Sequence, residues 1–396
     1  MPINFFSCTL NELHEFDLQR HVKIWLSKRK DEFMSLTNQL RLIKARVTNP
    51  DDQISLVYDG RLLSDEAIAS LHQFCQTHNI KPHDMKNLRH LVKTKEEKFL
   101  ISMYEDEINN LENGGNLAAA SDILRILSPV YSLGVYTDFD VAINTNNLGS
   151  MIFLKEPVLI NCGILENQLY YASDIIAVSN SKAGENLMNL LQRTMIAKCT
   201  GKFSFIKPIT SIDEDESLDH GQWHEKLLLE SLHAKFSIRT FRFFIQQLHP
   251  EAIQDIIQKP LNFAELQKLD MRYKKQESKI VDTPSIVAER KREEMYIRSV
   301  VNTTGPTIYR LAFAPRGCWN TKNKCGSFAQ LGLLSAFKGY IPGTRENNND
   351  YSWLPRGVKN IAQSEEEMIN NFKRVSKAYK NYKQKQERKK TQGLSL

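Results

Sequence analysis

The stretch that decides the fold reads Ala-Ala-Ala-Ser-Asp-Ile-Leu-Arg at positions 118–125 and, after a short connection, Gly-Val-Tyr-Thr-Asp-Phe-Asp at positions 134–140. The first half has the composition of a helix, in which Asp122 and Arg125 share one face at a spacing of i, i+3. The second half is rich in β-branched and aromatic residues and predicts a strand. Such alternation of helix and strand indicates an α/β protein.

Two aspartates, Asp138 and Asp140, are expected at the carboxyl end of this strand. Side chains two residues apart in a strand point to the same face, so the two carboxylates would converge and repel unless a cation lies between them. Oxygen ligands suit Mn²⁺ or Mg²⁺. Because ligands of open α/β sheets bind beyond the carboxyl ends of the strands, a divalent ion here could hold a diphosphate. The alternative for an isolated Asp-x-Asp is a pair of surface turn residues, but the flanking Val135, Tyr136 and Phe139 favour a buried strand.

The sequence on either side predicts more strands and helices, and residues 12–46 show mixed helical spacings. From about 222 to 280 the pattern is helical almost throughout. The predicted strands lie at 3–8, 53–60, 134–140, 151–161 and 174–179, and the predicted helices at 65–78 (capped by Ser64), 86–112 (ending at Asn113-Gly114-Gly115) and 117–131.

These patterns predict a catalytic core, an inserted helical subdomain and a basic tail. The core is assigned to residues 1–204 and 295–360, the subdomain to 205–294 and the tail to 364–396. The formal net charge is +7, yet residues 373–396 hold nine Lys or Arg and one Glu, so the rest of the chain carries −1. The basic residues are therefore not spread over the body with interleaved aromatics, which argues against a specific nucleic-acid partner.

Composition indicates a cytosolic protein. No apolar run is long enough to span a bilayer, and no basic leader precedes the first apolar patch, so a secretory signal is not expected. The six cysteines are scattered without a Cys-x-x-Cys pair, which predicts reduced thiols and no zinc site.

The paired segments at 118–125 and 134–140 resemble the catalytic core of the large clostridial glucosylating toxins and of the related Legionella-type bacterial effector glycosyltransferases. That resemblance implies a GT-A fold, which is a Rossmann-like nucleotide-sugar domain, and a metal-dependent transfer that retains anomeric configuration. It also implies roles for single residues. Asp122 and Arg125 would bind sugar hydroxyls, Tyr136 would pack at the nucleotide sugar, Asp138 would contact ribose, sugar and metal, and Asp140 would ligate the metal.

Three further segments resemble parts of the same family. The turn at 302–306, Asn-Thr-Thr-Gly-Pro, is similar to one that follows the last catalytic helix. The segment 347–353 is similar to a mobile loop in which Asp350 or a neighbouring Asn would complete the metal site, while Ser352 and Trp353 would close over the donor phosphates. The runs at 3–8 and 54–59 look like the first two strands, although the usual His and base-stacking Trp correspond to Asn4 and Ser7.

The resemblance implies a secreted bacterial effector or toxin that acts in the host cytoplasm, exported without a Sec signal peptide. The expected donor is UDP-glucose, with UDP-N-acetylglucosamine and GDP-mannose left open. The expected acceptor is a hydroxyl of a host protein such as a small GTPase or a translation factor, selected by the helical subdomain. The alternative is an effector that keeps the fold without turnover and docks on lipid, since residues 364–396 predict an amphipathic basic helix suited to anionic membranes.

Overall fold

A computed structural model describes the chain over residues 13–165, 168–200, 238–249, 252, 286–301, 303–313, 325–329 and 331–338. These ranges contain most of the predicted core and part of the predicted subdomain. The expected strand at 3–8, the loop at 347–353 and the basic tail lie outside them.

The described part of the chain is mixed α/β, as predicted. Its strands are β1 (His14–Asp17), β2 (Arg20–Trp25), β3 (Gln53–Tyr58), β4 (Ile80–Asp84), β5 (Val135–Thr137), β6 (Ala142–Ile143), β7 (Met151–Leu154), β8 (Val158–Leu165), β9 (Gln168–Val178), β10 (Gly326–Ser327) and β11 (Phe337–Lys338). Its helices are α1 (Leu36–Thr48), α2 (Asp65–Thr77), α3 (Met85–Leu88), α4 (Lys95–Asn109), α5 (Leu117–Leu124), α6 (Ser128–Tyr131), α7 (Lys182–Thr200), α8 (Ile238–Gln247), α9 (Ile286–Val301) and α10 (Pro306–Phe313).

A seven-stranded sheet in the order β10-β8-β9-β5-β2-β3-β4 forms the centre of the molecule. Strand β2 is parallel to both β3 and β5, and β3 is parallel to β4, whereas β9 runs antiparallel to β5 and β8. The chain thus moves outward through β2, β3 and β4 and then returns to the other side of β2. This is the arrangement of a mononucleotide-binding half, in which the order of strands reverses between β2 and β5. The predicted Rossmann-like core is confirmed.

Helices cover both faces of the sheet, because side chains alternate along each strand and parallel strands bury both faces. In β3, Ile54, Leu56 and Tyr58 pack against α1 and α2. Val57, with Val22 and Ile24 of β2, packs against α4, α5, α7 and α10 on the other face. The two apolar clusters fix the sheet between two helical layers, so the carboxyl ends of its strands form a rigid edge.

Several element boundaries match the predictions. Strand β3 and helix α2 lie where the pattern indicated, and the Ser64 side chain accepts a hydrogen bond from the backbone N–H of Ala67 as the predicted cap. The stop at Gly114 is also confirmed, since its φ is 87° in the left-handed region.

Three predictions about elements are wrong. Residues 12–46 contain β1 and β2 before α1 begins, and β2, not the segment at 3–8, is the strand beside β3. The helix predicted over 117–131 is two helices, because α5 ends at Leu124 and α6 begins at Ser128, where Pro129 fits the first turn. The stretch 86–112 is likewise divided into α3, α4 and a short 3-10 turn.

Helix α8, which lies in the range predicted as a subdomain, packs on α4 and on the turn that follows it. Arg242 of α8 is fully buried, donates to the Gly114 carbonyl over 2.8 Å and forms an ion pair with Glu107 of α4. The two backbones approach so closely that a Cβ on Gly114 would lie 2.3 Å from the carbonyl oxygen of Arg239. Only glycine fits at this contact.

Two features of the described residues, the apolar character of their helices and the state of their cysteines, bear on the environment of the protein. None of their helices combines the length and apolar character needed to cross a membrane. The cysteines within those ranges, Cys75, Cys162, Cys199 and Cys325, form no disulfide with one another.

Candidate active site

The predicted site residues converge at the carboxyl edge of the sheet, where the strand order reverses. Asp138 follows β5 directly, and Trp25 ends the neighbouring strand β2. Helix α5 carries Asp122 and leads into Arg125 on the face of the sheet that also contacts α4 and α7. Ligands of open α/β sheets bind at this position.

The ion pair between Asp122 and Arg125 forms the buried floor of the site. Asp122 is 5% exposed and Arg125 is 4% exposed. Arg125 also donates to the Ser173 carbonyl, and its guanidinium lies 4.7 Å from the centre of the Tyr136 ring. Burial raises the pKa of Asp122, and the neighbouring guanidinium acts against that rise. The i, i+3 spacing therefore places an oriented arginine next to the end of β5.

Asp138 is connected to this floor by two neighbours. Tyr136 donates its hydroxyl to Oδ1 of Asp138, and Nη1 of Arg125 lies 3.6 Å from the same oxygen. The backbone N–H of Asp138 donates to the carbonyl of Asp174 on β9 over 2.9 Å. Asp138 thus has a fixed backbone and a carboxylate directed towards Arg125.

The two aspartates lie in a turn and not in the strand, which corrects the prediction. Strand β5 ends at Thr137, and the N–H of Val141 donates to the Asp138 carbonyl over 3.1 Å to close the turn. The carboxylates are nevertheless close enough to interact. Loss of surrounding water and the charge of Asp138 raise the pKa of Asp140 to about 6, although the Asp140 side chain keeps one face towards solvent. A cation beside Asp140 would oppose this rise, because an opposite charge favours the ionised carboxylate.

A threonine from far along the chain completes the floor. Thr304 follows helix α9 and donates its hydroxyl to Oδ2 of Asp122 over 2.8 Å. The turn that carries it is tight, since the N–H groups of Thr303, Thr304 and Gly305 all donate to the carbonyl of Val300. The predicted Thr-Gly-Pro turn is therefore in contact with the predicted sugar-binding aspartate. Its sequence identified the turn, but nothing in it indicated this hydrogen bond.

Sequence reasoning missed the tryptophan at the edge of the site. Trp25 ends β2 and packs edge-to-face on Phe139 of the aspartate turn, with ring centroids 5.4 Å apart. Placing the first strand at 3–8 had put Asn4 and Ser7 at the positions expected for His and Trp. With β2 as the strand beside β3, a tryptophan is present at the carboxyl end after all. The run His-Val-Lys-Ile-Trp at 21–25 was the available signal.

A lysine under the aspartate turn was missed as well. Lys23 of β2 is 1% exposed, and its ammonium donates to Thr137 Oγ1 over 2.9 Å and to the carbonyls of Asp138 and Val141 over 2.7 Å and 3.4 Å. Burial lowers the pKa of Lys23 to about 7, against the effect of Asp140 and Asp138. The turn therefore lies between two basic side chains, Arg125 on the α5 side of the sheet and Lys23 on the α1 side.

Comparison with known families identifies the chain. The model that describes glycosyltransferase family 88 matches residues 3–297, which is most of the sequence. The chain belongs to glycosyltransferase family 88. It is therefore a transferase of sugars, and the matched range includes Trp25, Asp122, Arg125, Asp138 and Asp140.

Solved structures similar to this family 88 member share little sequence with it. The PaToxG glycosyltransferase is 15% identical with a TM-score of 0.34, over 73% of this chain and 87% of that one. The catalytic domain of alpha-toxin from Clostridium novyi is 13% identical with a TM-score of 0.37, over 78% and 74%. The UDP-bound glycosyltransferase domain of the YGT toxin is 11% identical with a TM-score of 0.37, over 76% and 77%. No curated protein matches the chain.

The remaining site predictions for this family 88 enzyme cannot be placed in the described ranges. Asp350, Ser352 and Trp353, expected in the closing loop, lie outside them. Within those ranges no three acidic, histidine or cysteine side chains cluster as a metal site would require. The oxygen chemistry of the Asp138 and Asp140 carboxylates is of the kind that a hard divalent ion prefers.

Proposed function

We propose that this glycosyltransferase transfers glucose from UDP-glucose to a hydroxyl of a host protein, with retention of anomeric configuration and with Mn²⁺ or Mg²⁺ as cofactor. UDP-N-acetylglucosamine and GDP-mannose remain alternative donors. The observation that carries the proposal is the connected set Thr304–Asp122–Arg125–Asp138 at the reversal point of the sheet. In this set, Asp122 and Arg125, which we assign to sugar binding, are connected through side-chain contacts to Asp138, which we assign to the metal.

In this proposal Asp122 and Arg125 hold the sugar. Thr304 and Arg125 contact the two oxygens of Asp122, so the carboxylate has one orientation and its remaining lone pairs can accept from sugar hydroxyls. Arg125 is in turn fixed by the Ser173 carbonyl and by the Tyr136 ring. Such preorganised groups keep the anomeric carbon in place without reorganisation during the reaction.

The nucleotide would lie across the ends of β2 and β5. We assign base stacking to Trp25, since its ring ends β2 and is supported by Phe139. Asp138 would contact ribose and metal, and Asp140 would ligate the metal. A divalent cation at these two carboxylates would supply charge neutralisation for the departing diphosphate.

In the proposed route, the acceptor attacks the sugar on the face from which the diphosphate leaves, so the configuration is retained. This route is supported because the nearest carboxylates are already bound to other side chains. Asp122 is bound by Arg125 and Thr304, and Asp138 accepts the Tyr136 hydroxyl. A carboxylate that served as a covalent nucleophile would have to leave these partners. Closure of the loop that carries Asp350, Ser352 and Trp353 would exclude water and favour transfer over hydrolysis.

The biological setting is inferred from the same resemblance. We propose an effector that acts in a host cytoplasm on an acceptor such as a small GTPase or a translation factor. Residues 205–294 are assigned to acceptor recognition and residues 364–396 to contact with anionic membranes.

The proposal is tested by donor hydrolysis. Purified protein with Mn²⁺ and each of the three nucleotide sugars should release nucleotide from one donor, and the double variant Asp138→Asn/Asp140→Asn should reduce release at least about 100-fold, the size of effect seen when a group that stabilises developing charge is removed. Asp65→Asn, in the first turn of α2, is the matched control and should keep wild-type activity. A folded wild-type protein that is silent with every donor would contradict the proposal.

A further inference from the structure

Lys23 is an unusual residue for its position. It lies in β2, an inner strand of the seven-stranded sheet between β5 and β3, and is 1% exposed. A buried ammonium loses its hydration, and an apolar residue of similar volume at such a site is often as stable or more so. A lysine at this position therefore calls for something that its amino group does and an apolar side chain cannot.

The three acceptors of Lys23 show what that is. Thr137 Oγ1 is the last side chain of β5, and the carbonyls of Asp138 and Val141 are the first and last of the turn that carries both aspartates. One ammonium thus connects the end of the strand to both ends of the turn. An ammonium supplies three donors, which matches these three acceptors.

We propose that Lys23 is a positioning residue that fixes the turn of residues 138–141 so that Asp138 and Asp140 present their carboxylates to one divalent cation. The inference rests on the proposed metal-dependent transfer. Arg125 and Tyr136 orient the Asp138 carboxylate from the α5 side. Lys23 fixes the backbone below it from the α1 side, beneath the Phe139 ring whose centroid is 5.6 Å from the ammonium.

The alternative is that Lys23 acts by charge alone and offsets the two carboxylates while no cation is bound. The two roles predict opposite effects on metal binding. A positive charge beside a cation site weakens binding of a divalent ion, so its removal would tighten binding. Loss of the hydrogen bonds would free the turn and weaken binding. The sign of the change in Mn²⁺ affinity therefore separates the two.

The experiment compares Lys23→Met with the wild-type chain. We expect Lys23→Met to raise the Mn²⁺ concentration for half-maximal donor hydrolysis by about 10-fold, as the loss of charge-assisted hydrogen bonds that position a site would do. Thr137→Val removes one acceptor while the lysine stays, and should raise it about 3-fold by the same argument. Titration of Mn²⁺ alone, followed by the electron paramagnetic resonance signal of the free ion, should change in the same direction.

Amide hydrogen exchange reports on the turn without any donor or metal. Peptides that cover residues 137–143 should exchange faster in Lys23→Met, while peptides from β3 and α2 keep wild-type protection. Lys81→Met is the matched control, because Lys81 is an exposed lysine on β4 that bonds only to Gln53 among the described side chains. It should leave both the exchange and the Mn²⁺ dependence unchanged.

Unchanged exchange at the turn, or a lower half-saturating Mn²⁺ concentration in Lys23→Met, would overturn the inference. Thr137→Val provides the same two readouts if Lys23→Met does not fold. If the proposed function is wrong, the wild-type protein will release no nucleotide from any donor. The hydrogen-exchange comparison does not depend on that activity and still tests whether Lys23 fixes the turn.

Discussion

At the scale of single residues, the site depends on how firmly Asp122 is held. Its two oxygens contact one partner that is near in the sequence, Arg125 three residues away, and one that is distant, Thr304 182 residues away. The carboxylate is buried, so each partner counts more than it would in water. Thr304 is therefore expected to act through the orientation of Asp122.

Replacing Thr304 with valine tests this contact. Thr304→Val keeps the volume and removes the donor, which leaves a buried carboxylate oxygen without its 2.8 Å partner. Turnover of the donor should fall about 10-fold, because an unsatisfied buried acceptor costs roughly 1–3 kcal/mol. Steady-state kinetics would show this mainly in kcat.

The control for this variant is Thr200→Val at the end of α7. Its hydroxyl donates to the Ile196 carbonyl within the helix, and among the described residues no hydrogen bond joins it to Asp122. Wild-type turnover in Thr304→Val would mean that Arg125 alone is sufficient to orient the carboxylate.

At the scale of elements, regular patterns were predictable and exceptions were not. The continuous apolar run of β3 and the Ser64 cap of α2 led to correct predictions. Strand β2 was missed because His21 and Lys23 interrupt its apolar residues, and both are buried through partners that are distant in sequence. A polar residue in a central strand is recognisable only when its partners are known.

The site shows the same division. Asp122, Arg125, Tyr136 and Asp138 could be named because they are close in the sequence and follow a recognisable spacing. The end of β5 at Thr137 could not be foreseen, since the contacts made there come from Lys23, which is more than a hundred residues away in the sequence. Trp25 was not identified because strand β2 was not predicted, although a tryptophan was expected on the first strand.

The attachment of α8 to the core is an element-scale feature with a measurable energy. Arg242→Met leaves Glu107 buried beside the N–H of Asn116 with its charge unpaired. Removing one partner of a buried pair costs about 3–5 kcal/mol. Urea unfolding should therefore show a fall of this size in the free energy of unfolding.

The same helix offers a matched control. Arg239 pairs with Asp106 over 2.9 Å, but both side chains are partly exposed, at 23% and 42%. Arg239→Met should cost less than about 1 kcal/mol, as exposed pairs do. If both variants lost the same free energy of unfolding, burial of the Arg242–Glu107 pair would not increase its contribution to stability.

At the scale of the whole molecule, the excess positive charge lies in a different part of the sequence from the candidate site. The net charge of +7 comes from the segment 373–396, whereas the body that holds the site is close to neutral. The proposed sugar transfer requires no basic surface. Membrane contact and catalysis should therefore be separable by deletion.

Deleting residues 364–396 tests this separation. The full chain should float with vesicles that contain phosphatidylserine, since each Lys or Arg near such a surface contributes about 1 kcal/mol. The shortened chain should remain at the bottom of the gradient and still hydrolyse the donor within about 2-fold of wild type, because none of the proposed site residues lies in the tail. Equal flotation of both proteins would rule out the tail as the membrane-binding segment.

The contact between Thr304 and Asp122 also has a consequence for synthesis on the ribosome. Domains fold as their residues emerge, and pairings between distant segments must wait for the later one. Asp122, Arg125 and Asp138 leave the exit tunnel long before Thr304, whose hydroxyl completes the floor 182 residues downstream of Asp122. A growing chain that has not yet exposed Thr304 therefore lacks one contact of the Asp122 carboxylate, and we expect its donor turnover to be reduced as in Thr304→Val.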